Sequence, residues 1–476
     1  MTTIFFTSFY GFISRNVFAT GLLEHLLQQP EVRVVILVPF YKKAFFEQYF
    51  AADNVLIEPV NTSLVVNSRV NRLFARLFGV LLRTFTIEYR TKERLAANRT
   101  VAGMSIYACS RAITALFGRS RAAHTMARHL EYRICSKRSL RSYFEKHAPA
   151  CVFATDLFHD MDAALLREAR SLGVTTIGMV RSWDNNTTRG LCRVLPDWAV
   201  VNNPLIADEL VQLQSMRRSR VFVGGIPQFD RYITGKRASR NELFGRLKRE
   251  PSKRLILFAP AGAQLSDTDG QVLELLRQAV DDRRLPGDLQ FLVRMHPGCP
   301  AALDRFSGDP LFYIEAPGVQ FAERPKDTEL TPQDAEHLGD SLLHSEIVIH
   351  VSSSIGLDAV VFDKPQIMIE FDGQATRPYL SSIRRYHDED HMRLFIETGV
   401  ARIAKSPEEL ISSINLYLED PSLDSAGRER GRQQQCWLLD GRSGERIGQF
   451  VLERLNLGAE ATSDSAQMPA SSVLGG

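Results

Sequence analysis

The sequence is poor in the features that mark secreted, membrane-spanning and zinc-binding proteins. No apolar run reaches the roughly 18 residues that a transmembrane helix needs, so no membrane-spanning segment is predicted. The N-terminus has neither a basic segment nor a small-residue cleavage site, so no secretory signal is predicted. The six cysteines are scattered without a CxxC pair, which argues against a zinc site or a disulfide scaffold and fits a reducing cytoplasm.

Motifs of several large enzyme classes are also missing. A Walker A sequence, a GxGxxG fingerprint and a GxSxG elbow do not occur, which disfavours P-loop NTPases, dinucleotide-dependent enzymes and hydrolases of the GxSxG kind. Two acidic triplets, at 160–162 and 388–390, resemble metal-binding DxD motifs. The first begins a predicted helix, where Asp160 would act as an N-terminal cap. Neither a bound metal nor another resident cofactor is predicted.

Positive charge is concentrated in one segment, although the whole chain is almost neutral. The formal net charge of the 476 residues is +3, yet residues 64–146 contain 17 basic and four acidic residues. A basic block of this kind suggests an anionic partner, and a solvated, arginine-rich helical face is the alternative. The segment contains no RNA-binding motif, so nucleic acid is not a predicted partner.

Apolar runs alternate with amphipathic helical stretches in both halves of the chain. Runs at 3–9 and 33–39 predict buried strands of one parallel sheet, and runs at 254–260 and 346–354 predict strands of a second. The predicted fold class is α/β, with two doubly wound, Rossmann-like domains that face a cleft and a helical insertion in the first domain.

The same patterns divide the chain into domains. Their predicted bounds, in chain order, are an N-terminal domain at 1–230 with a basic helical insertion at about 64–147, a linker at 231–253, a C-terminal domain at 254–425, a C-terminal helix at 426–456 that packs back on the first domain, and a disordered tail at 457–476. Ligands of doubly wound sheets bind beyond the carboxyl ends of the strands. The loops expected to line the cleft are therefore 10–16, 156–160, 181–190, 260–268, 295–300 and 352–355.

An amphipathic pattern runs through the start of the insertion. On a helical wheel, one set of arginines falls within an arc of about 60°, and apolar side chains fall roughly opposite. The arginines of this stripe are Arg69, Arg72, Arg76, Arg83, Arg90 and Arg94. The apolar side chains either pack on the domain core or dip into a membrane while the arginines contact lipid phosphates. An anionic membrane surface is therefore a candidate partner.

Strand ends in the second domain carry groups suited to a nucleotide donor. In "RMHPG" (294–298), the imidazole of His296 can donate a hydrogen bond to a phosphate, and Arg294 can add positive charge. The alternative is a structural histidine before a turn proline. Glu370 and Asp372, at the end of a later strand, could bond to ribose or sugar hydroxyls, or could act only as turn acids.

Three consecutive serines join an apolar strand to a predicted helix. The hydroxyls of Ser352, Ser353 and Ser354 precede helical N–H groups that attract anions. Simple capping is the alternative, but it needs only one serine. We therefore predict that all three serines bind donor phosphate.

The loop "SWDNNTTRG" (182–190) is dense in polar groups. Asp184 is the candidate general base for an acceptor hydroxyl, and His159, at another strand end, is the alternative base. A loop that bonds to its own backbone would explain the amides and hydroxyls, but not the combination of Trp, Asp and Arg. The side chains predicted to contact a sugar or the acceptor are Trp183, Asn185, Asn186, Thr187, Thr188 and Arg189.

Taken together, these elements resemble GT-B glycosyltransferases, most closely the CDP-glycerol glycerophosphotransferase-like group. Over about 254–375, the matching positions are His296 and Pro297 (an HP element), Ser353, Ser354 and Asp358 (a Ser-Ser-x-x-x-Asp element), and Lys364 with Pro365. The resemblance implies that the His and Ser side chains hold donor phosphates, often of a cytidine nucleotide, and that the first domain binds the acceptor. His350 and Val351 stand where the group usually has an acid and an aromatic residue, which favours a sugar over glycerol phosphate.

These observations predict a glycosyltransferase. It would move a sugar from a nucleotide-activated donor, with a cytidine nucleotide favoured, to a surface polysaccharide or a lipid-linked glycan. The predicted location is the cytoplasm, peripheral at the inner face of the cell membrane. The alternatives are a CDP-glycerol- or ribitol-type phosphotransferase, a non-hydrolysing sugar-nucleotide 2-epimerase, and a non-catalytic glycan- or membrane-binding protein.

Overall fold

Two parallel β-sheets, one in each half of the chain, organise the protein. The structure, a computed structural model, describes residues 1–457. The strands of the first sheet are β1 (Thr2–Thr7), β2 (Val32–Pro39), β3 (Val55–Val60), β4 (Cys151–Ala154), β5 (Thr175–Met179), β6 (Trp198–Val201) and β7 (Val221–Val223). Their order is β3-β2-β1-β4-β5-β6-β7, and every pair is parallel.

The second sheet has six parallel strands, and the same half of the chain contains a separate, short antiparallel hairpin. The strands of this half are β8 (Arg254–Ala259), β9 (Leu289–Arg294), β10 (Phe312–Glu315), β11 (Val319–Phe321), β12 (Arg324–Glu329), β13 (Ile347–His350), β14 (Gln366–Ile369) and β15 (Arg402–Ala404). The sheet order is β10-β9-β8-β13-β14-β15, and β11 pairs with β12 to form the hairpin. Two doubly wound sheets confirm the predicted fold class.

Helices cover both faces of each sheet. The α-helices are α1 (Gly21–Leu27), α2 (Lys43–Phe50), α3 (Ser63–Val66), α4 (Arg69–Phe78), α5 (Phe85–Ala97), α6 (Val101–Phe117), α7 (Arg121–Ile134), α8 (Arg141–His147), α9 (Asp160–Ser171), α10 (Asn185–Thr188), α11 (Pro204–Gln214), α12 (Pro227–Thr234), α13 (Arg240–Leu247), α14 (Asp269–Asp281), α15 (Pro332–His344), α16 (Ile355–Val361), α17 (Asp390–Glu397), α18 (Pro407–Glu419), α19 (Ser425–Gly431) and α20 (Ser443–Arg454). Short π-helical turns lie at Ser14–Phe18 and Arg432–Cys436.

Strand β1 shows why these apolar runs form buried parallel strands. Successive side chains point to opposite faces of a sheet, and helices cover both faces here. Phe5 packs on one face with Phe144 of α8, whereas Phe6 packs on the other face with Phe46 of α2. The central residues Ile4, Phe5 and Phe6 are all apolar and buried, as a strand that is covered on both sides requires.

The basic insertion consists of α3 to α8, between β3 and β4. The predicted amphipathic helix is interrupted, because α4 ends at Phe78 and α5 begins at Phe85. Phe74 and Phe78 are buried in a small apolar cluster of the insertion. The arginines Arg69, Arg72, Arg76 and Arg83 are exposed, as the helical pattern predicted.

Helix α6 packs against α5 along one side, and most of its surface is exposed. Thr114 is its only buried residue, and Val101, Ile106 and Leu116 are 76%, 67% and 71% exposed. No single helix among residues 1–457 has both the length and the apolar character needed to cross a membrane. Helices α6 and α7 satisfy that test only as a pair, and an angle of 118° separates them.

The predicted linker and C-terminal helix differ from the structure in their details. Residues 240–247 of the linker form α13, whose Leu243 and Phe244 are buried in the second domain because they complete its apolar core. The predicted helix at 426–456 is split into α19 and α20 by a π-helical turn and an irregular segment up to Arg442. Ile447 and Phe450 of α20 join an apolar cluster of the first domain. Residues 458–476, most of the predicted tail, lie outside the described part of the chain.

The β11–β12 hairpin carries a buried carboxylate from the second half of the chain into the first domain. Glu329 accepts hydrogen bonds from Lys42 Nζ at 2.9 Å, and from the backbone N–H and the hydroxyl of Ser14 at 3.1 and 2.8 Å. The side chains of Lys42 and Glu329 are both fully buried. Phe321 of the same hairpin packs against Phe45, with ring centroids 6.1 Å apart. The hairpin thereby joins the two domains.

The insertion also contacts the second domain through α5. The backbone N–H and the hydroxyl of Thr86 donate to Asp390 at 2.8 and 2.7 Å. The hydroxyl of Tyr89 donates to Glu389 at 2.8 Å. The two domains are therefore joined on two sides of the cleft.

Replacing Lys42 by methionine is expected to destabilise the protein strongly. The Lys42→Met change leaves the Glu329 carboxylate buried without its cation, and such a loss costs about 3–5 kcal/mol. Urea denaturation of both proteins measures this decrease in the free energy of unfolding. Lys43→Met is the matched control, because Lys43 is 45% exposed and its ion pair with Glu47 is worth about 0.5 kcal/mol or less. Equal losses in the two variants would contradict the importance of the buried pair.

Candidate functional site

The candidate site is the cleft between the carboxyl ends of the two sheets. It encloses a cavity of about 160 Å³ lined by side chains of both domains. The first domain contributes, among others, Phe12, Arg15, Asn16, Arg181, Trp183 and Asn202, and the second contributes Arg294, His296, Pro297, Ser353, Ser354 and Asp358. The loops predicted to line the cleft thus supply much of the wall.

His296 is placed to donate a hydrogen bond into the cavity. Strand β9 ends at Arg294, and the following turn places the imidazole in the wall of the cleft, where one edge reaches solvent and the surrounding protein shields the rest. The backbone N–H of Gly298 donates to Nδ1 of His296 at 3.2 Å, so the neutral ring carries its proton on Nε2. Burial lowers the pKa of His296, which keeps the ring neutral at pH 7. An N–H donor is therefore available to an anion without protonation of the ring.

The three serines differ in what they do. Ser353 accepts a hydrogen bond from the backbone N–H of Ile355 at 3.4 Å, and Ser353 and Ser354 both line the cavity. Ser352 is partly exposed but does not line the cavity. The structure therefore brings two of the three predicted serines together with His296.

Arg294 lines the cavity, but its charge is already paired. One guanidinium nitrogen donates to the Glu315 carboxylate, and Nη2 donates to the backbone carbonyl of Asp334 at 3.2 Å. Glu315 also pairs with His337 at 2.7 Å. The buried guanidinium therefore neutralises Glu315, and a contribution of Arg294 to phosphate binding stays a prediction.

Glu370 and Asp372 do not line the cavity, so the structure does not bring them together with His296 and the serines. Asp372 is buried, and its Oδ1 accepts the backbone N–H of Ile383 at 2.8 Å, which makes it a turn acid. Glu370 lies with its carboxylate 3.6 Å from Nδ1 of His387. Both carboxylates instead order the chain that follows β14.

The polar loop at 182–190 is largely buried under the cleft. Asn185 is fully buried, and the hydroxyl of Thr187 donates to the backbone carbonyl of Asp184 at 3.1 Å. The predictions that Asn185 and Thr187 contact the acceptor are therefore wrong, because helix α10 turns both inwards. Asn186 and Thr188 are buried as well.

Other residues of this loop remain accessible to a ligand, among them Ser182 and Trp183 in the cavity wall and the exposed Arg189. Trp183 lines the cavity, and its ring packs edge-on against His391 and Phe395 of α17, with centroids 4.8 and 5.4 Å away. Arg189 is exposed, and its Nη2 donates to the hydroxyl of Tyr10 at 3.3 Å. Trp183 thus belongs to the contact between the domains, and Arg189 offers a cation at the edge of the acceptor side.

Asp184 is a weak base in this environment. Its carboxylate accepts hydrogen bonds from the hydroxyls of Ser182 and Thr188. Burial alone would raise the pKa of Asp184, but the neighbouring His391 and Arg189 and the hydrogen bonds hold that pKa well below its usual range. A carboxyl group with so low a pKa stays ionised and accepts a proton poorly near pH 7.

His159 is the better base by the same criterion. Its Nδ1 lies 3.4 Å from Oδ2 of Asp162 and 3.3 Å from the backbone nitrogen of Met161. Burial alone would lower the pKa of His159, but Asp162, with Asp156 and Asp160, raises it. Because Nδ1 accepts the backbone N–H of Met161, the neutral ring carries its proton on Nε2. Nε2 accepts a hydroxyl proton only in the other tautomer, in which the proton on Nδ1 faces Asp162.

Two asparagines that line the cavity were not predicted from the sequence. Asn16, in the π-helical turn after β1, and Asn202, after β6, are each 7% exposed. Their carbonyl oxygens have no hydrogen-bond partner among residues 1–457. Buried polar atoms are normally bonded, so these oxygens are available to hydroxyl donors of a ligand. Position at the carboxyl end of a strand was the signal that could have found them.

Arg15 was also not predicted from the sequence, and it is the ion-pair partner of Asp358 across the cleft. The guanidinium of Arg15 donates to the Asp358 carboxylate and, at 3.0 Å, to the hydroxyl of Tyr232. The hydroxyl of Tyr232 donates to Asp358 at 2.7 Å. Asp358 therefore forms an ion pair between the two domains in the wall of the cleft.

The structure offers no group of three or more metal-ligating side chains within the described residues. The two acidic triplets have other partners. Asp160 pairs with Arg193 at 2.6 Å, and Asp390 bonds to Thr86.

Comparison with known proteins identifies a family and a fold. The family model described as CDP-Glycerol:Poly(glycerophosphate) glycerophosphotransferase matches residues 178–453, more than half of the chain. No curated protein is a significant match to the sequence. The matched stretch includes β6 to β15 and both the HP and serine elements of the cleft.

Solved structures with this architecture show the GT-B fold. S. aureus MnaA with UDP is 14% identical, with a TM-score of 0.55 and coverage of 98% of this chain and 100% of that one. A putative UDP-N-acetylglucosamine 2-epimerase from Listeria monocytogenes is 13% identical, with a TM-score of 0.55 and coverage of 98% and 99%. The wall teichoic acid polymerase TagF is 12% identical, with a TM-score of 0.50 and coverage of 96% and 89%. At these identities the likeness concerns the fold alone.

Proposed function

The chain belongs to the CDP-Glycerol:Poly(glycerophosphate) glycerophosphotransferase family, and on that premise we propose that it moves a group from a cytidine-nucleotide donor to a growing cell-surface polymer. Family membership makes the chain a transferase of cell-wall polymer synthesis. The observation that carries the donor assignment is the neutral His296 beside Ser353 and Ser354 at the cavity wall. An epimerase is disfavoured by the family match, since the epimerase structures share only the fold.

The second domain would hold the donor through its phosphates. Nε2–H of His296 and the hydroxyls of Ser353 and Ser354 are hydrogen-bond donors that face one cavity. As the donor bond breaks, negative charge builds on the departing nucleotide, and donors fixed in advance stabilise that charge. Hydroxyl and imidazole donors serve this purpose without a resident metal.

The transferred group is either glycerol phosphate or a sugar, and the family match favours glycerol phosphate. In that reaction an acceptor oxygen bonds to the glycerol-bearing phosphorus, the bond between the two phosphates breaks, and CMP leaves. His350, which stands where the group usually has an acid, is fully buried and lies outside the cavity lining. Burial lowers its pKa to about 4, so it stays neutral. This departure from the family pattern therefore leaves the donor-facing wall unchanged.

The first domain would hold and activate the acceptor. We assign the base to His159, with Asp162 orienting its ring from 3.4 Å. The carbonyl oxygens of Asn16 and Asn202 would accept hydrogen bonds from acceptor or donor hydroxyls. Arg189 would attract a phosphate of the polymer.

We further propose that the insertion attaches the protein to the cytoplasmic face of an anionic membrane. The support is the combination of the exposed arginines Arg69, Arg72 and Arg76 with the exposed apolar side chains of α6. Exposed apolar side chains grouped on one element mark interaction sites with proteins or membranes. A helix that lies in the interface buries such side chains while cations contact lipid phosphates.

Product analysis with labelled donors tests the proposed reaction. CDP-glycerol, CDP-ribitol and nucleotide sugars are supplied with a primed polymer acceptor, and the released nucleotide is identified. We expect a CDP-linked donor to be consumed, with CMP released in phosphotransfer and a nucleoside diphosphate released from an NDP-sugar. His296→Ala should lower kcat by about 100-fold or more, as loss of a charge-stabilising donor does. His25→Gln, outside the cavity lining, is the matched control, and conversion of UDP-N-acetylglucosamine without acceptor would refute transfer.

The two candidate bases predict different pH behaviour. His159→Gln should reduce kcat by about 10²–10⁴-fold, whereas Asp184→Asn should reduce it by less than about tenfold. A base must be neutral to accept a proton, so kcat/KM should fall as the pH drops through the raised pKa of His159. Rate profiles from pH 5 to 9 measure this limb. A full loss in Asp184→Asn together with an active His159→Gln would reverse the assignment.

Vesicle binding by the full chain tests the membrane proposal. Flotation with vesicles rich in anionic lipid should recover the protein at low salt, and high salt should weaken the binding. Ile106→Asp with Leu116→Asp should abolish it, because both side chains are exposed on α6. Leu416→Asp on α18, where Leu416 is 38% exposed, is the matched control. Equal binding of all variants to neutral vesicles would contradict the proposal.

A further inference from the structure

Phe12 reaches from the first domain across the cleft to His296. It follows β1, and its backbone has a φ of 67°, in the left-handed region. A bulky side chain rarely adopts this conformation, and such strain persists only where the surrounding structure enforces it. The strained residue lies in the wall of the proposed active site.

The hairpin of the second half of the chain holds Phe12 in this conformation. The backbone N–H of Phe12 donates to the carbonyl oxygen of Thr328 at 3.1 Å. Gly11 passes so close to the hairpin that a Cβ at this position would lie 2.7 Å from the same oxygen. Glycine at position 11 thus permits the approach, and β12 fixes the backbone of Phe12.

The ring of Phe12 makes an edge-to-face contact with the imidazole of His296. The ring centroids are 5.8 Å apart, and the planes meet at 82°. The hydroxyl of Thr328 donates to the carbonyl oxygen of Pro297 at 3.3 Å, so one hairpin residue supports both partners of the contact. Gln320 of the hairpin donates to the same carbonyl at 3.2 Å. The hairpin therefore sets the distance between the phenyl ring and the imidazole.

We propose that Phe12 is a positioning residue for His296, and that its ring, delivered by the first domain, orients the imidazole so that Nε2 faces the donor phosphates. The proposal rests on the proposed role of His296 in donor binding. Through this contact the donor site is complete only when the hairpin joins the two domains. Phe12, which lies outside the HP and serine elements, then determines how well His296 binds the donor phosphates.

Three substitutions at position 12 separate the ring from the backbone strain. Phe12→Tyr keeps the ring, Phe12→Ala removes the ring and keeps an unfavourable backbone, and Phe12→Gly removes the ring and relieves the backbone. If the ring positions His296, alanine and glycine both lower kcat by about tenfold, as loss of an aromatic contact of this kind does, and tyrosine restores it. If only the backbone matters, glycine retains the activity of the unchanged protein.

Titration of His296 by NMR provides a readout that does not depend on transfer. Burial lowers the pKa of this imidazole, so removal of the neighbouring ring hydrates it and raises the pKa towards its usual value. The resonance is assigned by its absence in His296→Gln. We expect the pKa to rise in Phe12→Ala and Phe12→Gly, and to stay unchanged in Phe12→Tyr and in Phe40→Ala, a control at an aromatic side chain that is 63% exposed.

The outcomes separate this proposal from the proposed function. An unchanged His296 titration in both Phe12→Ala and Phe12→Gly overturns the positioning role, whatever the donor is. A raised pKa with undiminished kcat in the same variants also overturns it, because the ring would then only shield the imidazole. A raised pKa and reduced kcat support it. If His296→Ala itself retains full transfer activity, the proposed function fails, while the titration still reports whether Phe12 contacts His296.

Discussion

The arrangement of the cleft depends on the buried ion pair between Lys42 and Glu329. The hairpin that carries Glu329 leaves the second sheet and enters the first domain, where Lys42 and Ser14 satisfy its carboxylate. Because neither charge reaches water, the two domains cannot separate at this point without exposing the pair or leaving a charge unpaired. The position of Phe12, and through it that of His296, follows from this one contact.

The fold was predictable from the sequence because its signal is local and repeated. Each buried strand needs a continuous apolar run, and the helices between strands have one apolar face, so the alternation is visible without any knowledge of contacts. The break between α4 and α5 and the break before α20 were not predicted. Neither is marked by proline, and both depend on how the chain packs against other elements.

The site was only partly predictable, for a related reason. His296, Ser353 and Ser354 follow strands directly, and strand ends fix where a side chain points. Asn185 and Asp372 also follow strands, but a short turn rotates each of them inwards, and the sequence of that turn does not reveal the rotation. Asn16 and Phe12 lie in an unusual π-helical turn and a left-handed conformation, which residue patterns do not encode.

Helix α20 has a consequence for how the chain reaches its native state. Ile447, Phe450 and Val451 belong to the apolar cluster that surrounds β1, although about 400 residues separate them from it along the chain. During synthesis the first domain emerges early, and domains generally begin to fold as they emerge. The early helices α1 and α2 cover part of that face of the sheet, and the part that α20 covers stays open until the last described helix has been made. A chain truncated before α20 would keep that part exposed.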